Sequence, residues 1–474
     1  MKSTRGTIPF LVAFALLAGC SSRDDDSSDE TTAATTAATT EVTTAATTAA
    51  TTADTTAVTT EETTPQPTEP AEEPQATEIG VTESEIHIGV VADVDTPLAP
   101  GLSQPLVSAV QAWAERINSE GGLAGREIVV NVYDSKLNPD ESANAYTQAC
   151  QENFATVGSG AFVLLNPAPI VECADSNGDV IGLPDVAALA ISPGQALAPT
   201  TYELVTAGQD YTATEPTYVV VQYGFDFLEE RLAGTQPVLM GIDPGVPGIG
   251  PGILALLQSA VDRGAVSAGK VTYPDAAPQA EATPIVNQIR DQGVNWVTAT
   301  SIGVAKLMAE GRVQGLDVDS IIWTCTSQCL TPSFVEQNAD AIDGLYVSQL
   351  ITPYFDLDVE GVAEYRSGVA DDEVSANGEL AYAAALAFEE FVNTLVEEQG
   401  INGLTRQNLL DLLASGPTVT AKGMLAEGTV MGTPSPCWVT NQVQGGEFVR
   451  VDPVESGEFR CDENAVVRVV GTFE

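Results

Sequence analysis

From Ile86 onward the apolar positions of this chain alternate between two rhythms. Ile86-His87-Ile88-Gly89-Val90-Val91-Ala92-Asp93 is a short apolar run with β-branched residues and predicts a buried strand. After a Pro/Gly loop from Thr96 to Gly101, apolar residues return at Leu106, Val110, Trp113 and Ile117. That spacing is one face of a helix, which Gly121-Gly122 stops. Glu127 to Tyr133 predicts a second strand. Asn138 stands ready to cap a helix, with Pro139 in the first turn and Asp140 and Glu141 near the positive end of the dipole. Two more strands are expected at Ala155 to Gly158 and Asp179 to Leu183.

The pattern then restarts. Val238 to Asp243 predicts a strand, and Ile253, Leu256, Leu257 and Ala260 form a helical stripe. Strands follow near Lys270–Tyr273, Trp296–Thr300, Ile321–Cys325 and Leu345–Leu350, with helical segments between them. A long helix is expected from about Gly378 to Gln399, with Leu380, Ala384, Ala387, Phe391 and Leu395 on one face. Pro216 to Phe227 is ambiguous: Val219-Val220-Val221 favours strand, while its place between the two runs suits a helix. Strands alternating with helices imply α/β architecture with parallel sheets covered on both faces, and two such runs imply two lobes. In open sheets of this kind ligands bind outside the carboxyl ends of the strands. Two hinged lobes can close on a small molecule there, excluding water and strengthening each polar contact.

The N-terminal part reads differently. Lys2 and Arg5 precede an apolar run from Ile8 to Leu17, which is too short for a stable membrane span of about twenty residues but suits a removable export signal. Leu17-Ala18-Gly19-Cys20 resembles the bacterial lipobox, which implies a signal peptide over 1–19 and a lipid on Cys20. The expected location is therefore extracytoplasmic, held to the cell membrane by that lipid. Thr/Ala repeats with acidic residues follow, ending in Pro-Gln-Pro-Thr-Glu-Pro. With so few large apolar side chains, the stretch over 20–80 is expected to be a disordered linker, and its composition also suits O-glycosylation.

The formal net charge is −48; 13 acids and 3 bases lie in the first 79 residues, leaving a net −38 on the remainder. Such a surface repels phosphates and anionic headgroups, so no nucleic-acid partner is expected. If Cys20 carries the lipid, six cysteines remain: Cys150, Cys173, Cys325, Cys329, Cys437 and Cys461. In an oxidising exterior these read as disulfides, and proximity favours Cys150–Cys173, Cys325–Cys329 and Cys437–Cys461. Zinc is the rival reading, but His87 is the one histidine and no paired Cys-x-x-Cys knuckles occur. The small Cys325–Cys329 loop also admits a redox-active reading.

Three stretches carry a family resemblance. Ile86 to Val91, the helix end Ala114 to Arg126 with its Ile-Asn-x-x-Gly-Gly-x-x-Gly-Arg signature, and Glu127-Ile128-Val129-Val130 resemble the branched-chain amino acid and amide binding proteins of bacterial ABC importers. The resemblance implies a type I periplasmic-binding fold with three hinge crossings. Lobe one would span 81–207 plus 351–425, and lobe two 208–350 plus 426–474. It further implies a non-enzymatic monomer, needing no cofactor or metal, that captures a small polar solute and passes it to an ABC transporter permease. A surface sensor with the same fold is the alternative. In the family, lobe one holds the ligand after its third and fourth strands, here Ser159-Gly160-Ala161-Phe162 and Asp185-Val186-Ala187. The matching lobe-two loops contain Gly248, Ser301 and Thr326. Phe162 and Asp185 depart from the family's Ser/Thr pattern, and no tyrosine or glutamate stands in those lobe-two loops.

Other motifs add no chemistry. Gly248-Ile249-Gly250-Pro251-Gly252 lacks dinucleotide-loop spacing, and no Gly-Lys-Ser/Thr phosphate loop occurs. Asp356-Leu357-Asp358-Val359-Glu360-Gly361 begins like a calcium loop, but Ser367 stands where the bidentate glutamate belongs. His87, inside a predicted strand, is the sole candidate for a Ser-His-Asp arrangement.

Overall fold

Five parallel strands form the first sheet: β1 (Glu85–Ala92), β2 (Glu127–Asp134), β3 (Ala155–Val157), β4 (Asp185–Leu189) and β5 (Thr201–Val205), in the order β2-β1-β3-β4-β5. The computed structural model in which they are seen describes residues 72–96, 101–205, 208–211, 213–245 and 249–473. The export signal, Cys20, nearly all of the Thr/Ala-rich linker and Gly248 lie outside the described residues.

β1 runs between β2 and β3, which explains its unbroken apolar run: both its faces are covered. Val90 joins the core beneath Trp113, while Val91 joins the opposite core with Tyr146. The first core is filled by the Gln104–Ser119 and Ala376–Gln399 helices, where Trp113 meets Phe388 edge-on at 6.2 Å. The Ala376–Gln399 helix is alanine-rich, and its small side chains admit close neighbours. A Cβ on Gly158 would fall 2.5 Å from Val110 and 3.3 Å from Ala381.

The Gly-Gly-x-x-Gly-Arg signature is a mechanical joint. Asn118 brackets Ile128, donating to its carbonyl at 2.9 Å and accepting its amide at 2.8 Å. Gly122 has φ +88°, and a Cβ there would lie 2.2 Å from the carbonyl oxygen of Arg126. Arg126 is buried with no carboxylate beside it; its guanidinium donates to the carbonyls of Thr82 (2.7 Å), Ala124 (3.2 Å), Ile401 (3.1 Å) and Gln75 (2.9 Å). It thereby fixes residues preceding β1 to the turn after the long helix. Thr77 and Gln75 add bonds to the Leu404 carbonyl and the Asn402 side chain.

One expected strand is misplaced in the sequence reading. Asp179 to Leu183 forms no strand; Val180 makes an isolated bridge to Ala174, and the amides of Ile181 and Gly182 donate to the carbonyl of Cys173, just beyond the Cys150–Cys173 disulfide. The fourth strand begins at Asp185, directly after Pro184. Arg406, fully buried, donates to the carbonyls of Phe154, Cys150 and Ala174, holding this disulfide region to β3.

Beyond β5 the ambiguous segment resolves into β7 (Thr217–Val221) followed by a helix at Phe225–Arg231, and β7 lies between β6 (Gly208–Gln209) and a late strand. The second main sheet takes β8 (Val238–Asp243), β9 (Val266–Thr272), β10 (Trp296–Ala299), β11 (Ile322–Cys325) and β12 (Tyr346–Gln349), all parallel. After a small hairpin of β13 (Thr418–Val419) and β14 (Thr429–Val430), the chain returns to this sheet. There β15 (Cys437–Gln444) and β16 (Glu447–Asp452) extend it antiparallel beside β12. Gly445 and Gly446 both adopt positive φ, the backbone that a two-residue hairpin turn requires. β17 (Arg460–Cys461) pairs with β15, and β18 (Val466–Val470) is the late strand beside β7.

The fold is thus a type I periplasmic-binding architecture, two α/β lobes joined by crossings of the chain. The chain leaves lobe one at the carboxyl end of β5 and leaves lobe two at the carboxyl end of β12. Ile351 pairs antiparallel with Leu425, and the Gly432 amide donates to the Glu203 carbonyl at 2.8 Å, so the crossings run side by side. Both parallel sheets therefore turn their carboxyl ends toward the hinge.

Candidate functional site

In lobe one the loop after β3 is stitched to its neighbours. Ser159 accepts the Val91 amide on its hydroxyl at 3.1 Å, and its carbonyl receives the amides of Ala188 and Leu189 at 3.1 and 3.2 Å. The Gly160 amide donates to the Val91 carbonyl at 3.0 Å. Asp93, ending the apolar run of β1, is fully buried and joins three loops. Its carboxylate accepts the Ser135 hydroxyl (2.7 Å), the Leu137 amide (2.6 Å) and the Phe162 amide (2.9 Å). Ser159, Gly160 and Ala161 are buried and Phe162 is partly exposed.

Asp185, Val186 and Ala187 are strand residues rather than loop residues, which corrects the placement read from sequence. The loop after β4 begins at Ala190 and contains Ile191 and Ser192. Asp185 lies at the start of β4, fully buried, and accepts the hydroxyls of Thr156 (2.8 Å) and Thr201 (3.1 Å) and the Gln195 amide (3.3 Å). Burial pushes its pKa up to about 6, against the pull of those donors. Glu203 on β5 is pushed up to about 7, chiefly by burial and secondarily by the charge of Asp185.

In lobe two, Asp243 ends β8 and pairs with Lys270 at 2.5 Å. Asp275 accepts the Gly303 amide at 2.9 Å, and Lys306 donates to the carbonyls of Asp275 and Ala277. Ser301 is buried, and its hydroxyl has no hydrogen-bond partner. Thr326 is exposed in the short loop closed by the Cys325–Cys329 disulfide, and its amide donates to the Ala299 carbonyl at 3.2 Å. Ser301 and Thr326 thus both follow strand carboxyl ends, while Gly248 is outside the described residues. The third disulfide joins Cys437 to Cys461.

Sequence reasoning missed Glu379. It sits in the first turn of the Ala376–Gln399 helix, fully buried, and neither carboxylate oxygen has a hydrogen-bond partner. Burial, then the charge of Asp356, pushes its pKa well above the usual carboxylate range, and Gln349 at the end of β12 lies beside it. No periodicity distinguishes this residue from the exposed glutamates of other first turns. Among the described residues, no group of three or more His, Cys, Asp or Glu is arranged to hold a metal. Two acids of the apparent calcium loop are engaged elsewhere, Asp356 with Arg450 and Asp358 with Ser456. No helix among the described residues is long and apolar enough to cross a membrane.

Comparison with known proteins agrees with this geometry. Solved structures of similar fold include a fatty acid ABC transporter substrate-binding protein from Thermomonospora curvata, with TM-score 0.57 and 18% identity, covering 83% of this chain and 96% of that one. An ABC transporter substrate-binding protein from Sphaerobacter thermophilus gives TM-score 0.58 and 16% identity, covering 80% and 98%. The branched-chain amino acid transporter substrate-binding protein LivJ from Streptococcus pneumoniae, in complex with isoleucine, gives 0.55 and 16%, covering 78% and 100%. No curated relative matches by sequence. The periplasmic binding protein family matches residues 85–447, and its members are solute-binding proteins rather than enzymes. This chain belongs to the periplasmic binding protein family.

Proposed function

We propose that the protein is the extracytoplasmic solute receptor of an ABC importer, capturing a small molecule between its lobes by hinge closure and delivering it to a permease. The observation that carries this reading is that both sheets turn their carboxyl ends toward the same pair of crossings. Contacts with the solute come from the loops at 158–162 and 190–192 of lobe one and 301–303 and 326–328 of lobe two. The Thermomonospora relative is described as a fatty acid receptor and the Streptococcus relative holds isoleucine, which supports small solutes as the ligand class. A lipid on Cys20 keeps the receptor at the membrane, and the receptor works as a monomer.

Thermal unfolding of the full chain with amino acids, amides, urea, polyamines and short aliphatic compounds tests the receptor reading. A ligand at a hundred times its Kd stabilises by about 2.7 kcal/mol. Stabilisation by one class is expected; no shift with any class would overturn the reading. Mass spectrometry of the mature N-terminus tests the anchor, and an unmodified Cys20 would refute it.

A further inference from the structure

The first turn of the Ala376–Gln399 helix straddles two cores. Ala376 belongs to the lobe-two core with Val347 and Val443, while Leu380 belongs to the lobe-one core with Trp113. Tyr365 anchors this turn: its hydroxyl receives the Ser375 amide at 3.1 Å and donates to the Ser375 carbonyl at 3.2 Å. The Ser375 hydroxyl in turn accepts the Gly378 amide at 3.1 Å. On the lobe-two side, Gln349 ends β12, pairs with Val439 and donates its Nε2 to the Ile351 carbonyl at 3.0 Å, inside the second crossing. The amide of Thr352, the next residue, donates to the Met424 carbonyl at 2.9 Å.

Between these anchors lie acceptors without a donor. Both carboxylate oxygens of Glu379 and the Oε1 of Gln349 are buried and unpartnered, and the two side chains are neighbours. Two bare acceptors side by side in a dry site are costly. One proton on Glu379 turns an acceptor into a donor and removes the conflict. The surrounding groups do not supply that donor. Asp356 is an acid held by Arg450, Arg366 pairs with Asp371 through Nη2 at 2.8 Å, and the Tyr365 hydroxyl is spent on Ser375. Tyr354 also faces Glu379, while Glu447 and Glu373 act on Tyr354 and Tyr365. Burial first, then the charge of Asp356, favours the neutral acid against the pull of Gln349 and Arg366. The Nη1 of Arg366 is itself buried without a partner, and an ionised Glu379 would be drawn toward it.

We infer that Glu379 and Gln349 form a proton-dependent latch on the second crossing. The neutral acid donates to Gln349 Oε1 and ties the helix's first turn to the end of β12; loss of that proton to solvent at alkaline pH frees the crossing. Hinge freedom is thereby linked to pH, a property beyond solute capture that is tested without any solute.

Infrared difference spectra of the full chain and its Glu379→Gln variant at pH 8 test the proton. The parent should show one protonated-carboxyl C=O band that the variant lacks. Hydrogen exchange at the Thr352 amide, corrected for the intrinsic effect of pH, tests the latch. Relative to the amides of β1 and β8, protection in the parent should fall as pH rises, by up to about tenfold per pH unit once the acid ionises, as release of one proton requires. In Glu379→Gln the new side-chain amide donates without titrating, so protection should stay level. Asp185 and Glu203 titrate alike in both proteins and cancel in the comparison. Gln349→Met, which removes the acceptor, should keep the infrared band yet give low protection at every pH. Equal infrared spectra, the same pH profile at Thr352 in parent and Glu379→Gln, or a parent-like profile in Gln349→Met would each overturn the inference.

Discussion

The carboxylate of Asp93 accepts the backbone amide of Phe162 at 2.9 Å, and through the same side chain it holds Ser135 and Leu137. The loops after three neighbouring strands are thereby fixed to one buried charge. Asp93→Ala leaves those donors unpaired in a dry environment, where each such group costs about 1–3 kcal/mol. The variant should lose about 2–4 kcal/mol of unfolding free energy in a urea titration. Any ligand found for the cleft should bind more weakly to it than the stability loss alone explains.

Glu379 sets a pH dependence whose sign can be worked out. Its pKa is raised in the folded state, so the folded protein retains a proton that the unfolded chain releases. Folding stability from this group is therefore complete below the ordinary carboxylate value and is lost as pH rises above it. Glu379→Gln should be more stable than the parent at pH 8, by about 1–3 kcal/mol, with the gap closing toward pH 4. Paired thermal or urea midpoints across that range measure it; a constant gap would refute the assignment.

The disulfides should differ in value. In the loop-entropy picture a bridge spanning 23 residues stabilises by about 3 kcal/mol and one spanning 4 by about 2 kcal/mol. Replacing Cys150 and Cys173 together should cost more than replacing Cys325 and Cys329, because the first pair also orders the carbonyls that receive Arg406. Denaturant midpoints of the two double variants give the ranking.

Arg126→Ala removes a guanidinium from four carbonyls, three of them on the half-buried residues Thr82, Ala124 and Ile401. Hydrogen exchange should show lost protection from residue 75 to residue 82, and limited proteolysis should cut there faster. The expected loss of stability is about 3 kcal/mol, with amide exchange in β8 to β12 changing least.

Much of the architecture could be read from the chain because parallel strands covered on both faces write continuous apolar runs, as in Gly89-Val90-Val91-Ala92. The fourth strand escaped because its core, Val186-Ala187-Ala188-Leu189, is rich in alanine, which favours no sheet. The preceding run at 179–183 looks more strand-like but is hydrogen-bonded back to the carbonyls of Ile170 and Cys173. The antiparallel edge made by β15 and β16 escaped too, since pairing with β12 joins residues about a hundred positions apart. At the candidate site, the resemblance pointed to the loops of Ser301 and Thr326, and both follow strand carboxyl ends. Asp93 and Glu379 were not found, because their roles depend on loops and helices that meet only in three dimensions.

Arg126 also decides where force enters the molecule. A pull applied at residue 72 passes to Gln75 and Thr77 and from there to Arg126, Asn402 and Leu404. All of these lie at the amino end of β1, and neither described crossing lies on that load path. Tension applied to the chain at residue 72 is thus borne by one lobe, near the foot of its sheet, before it reaches either crossing.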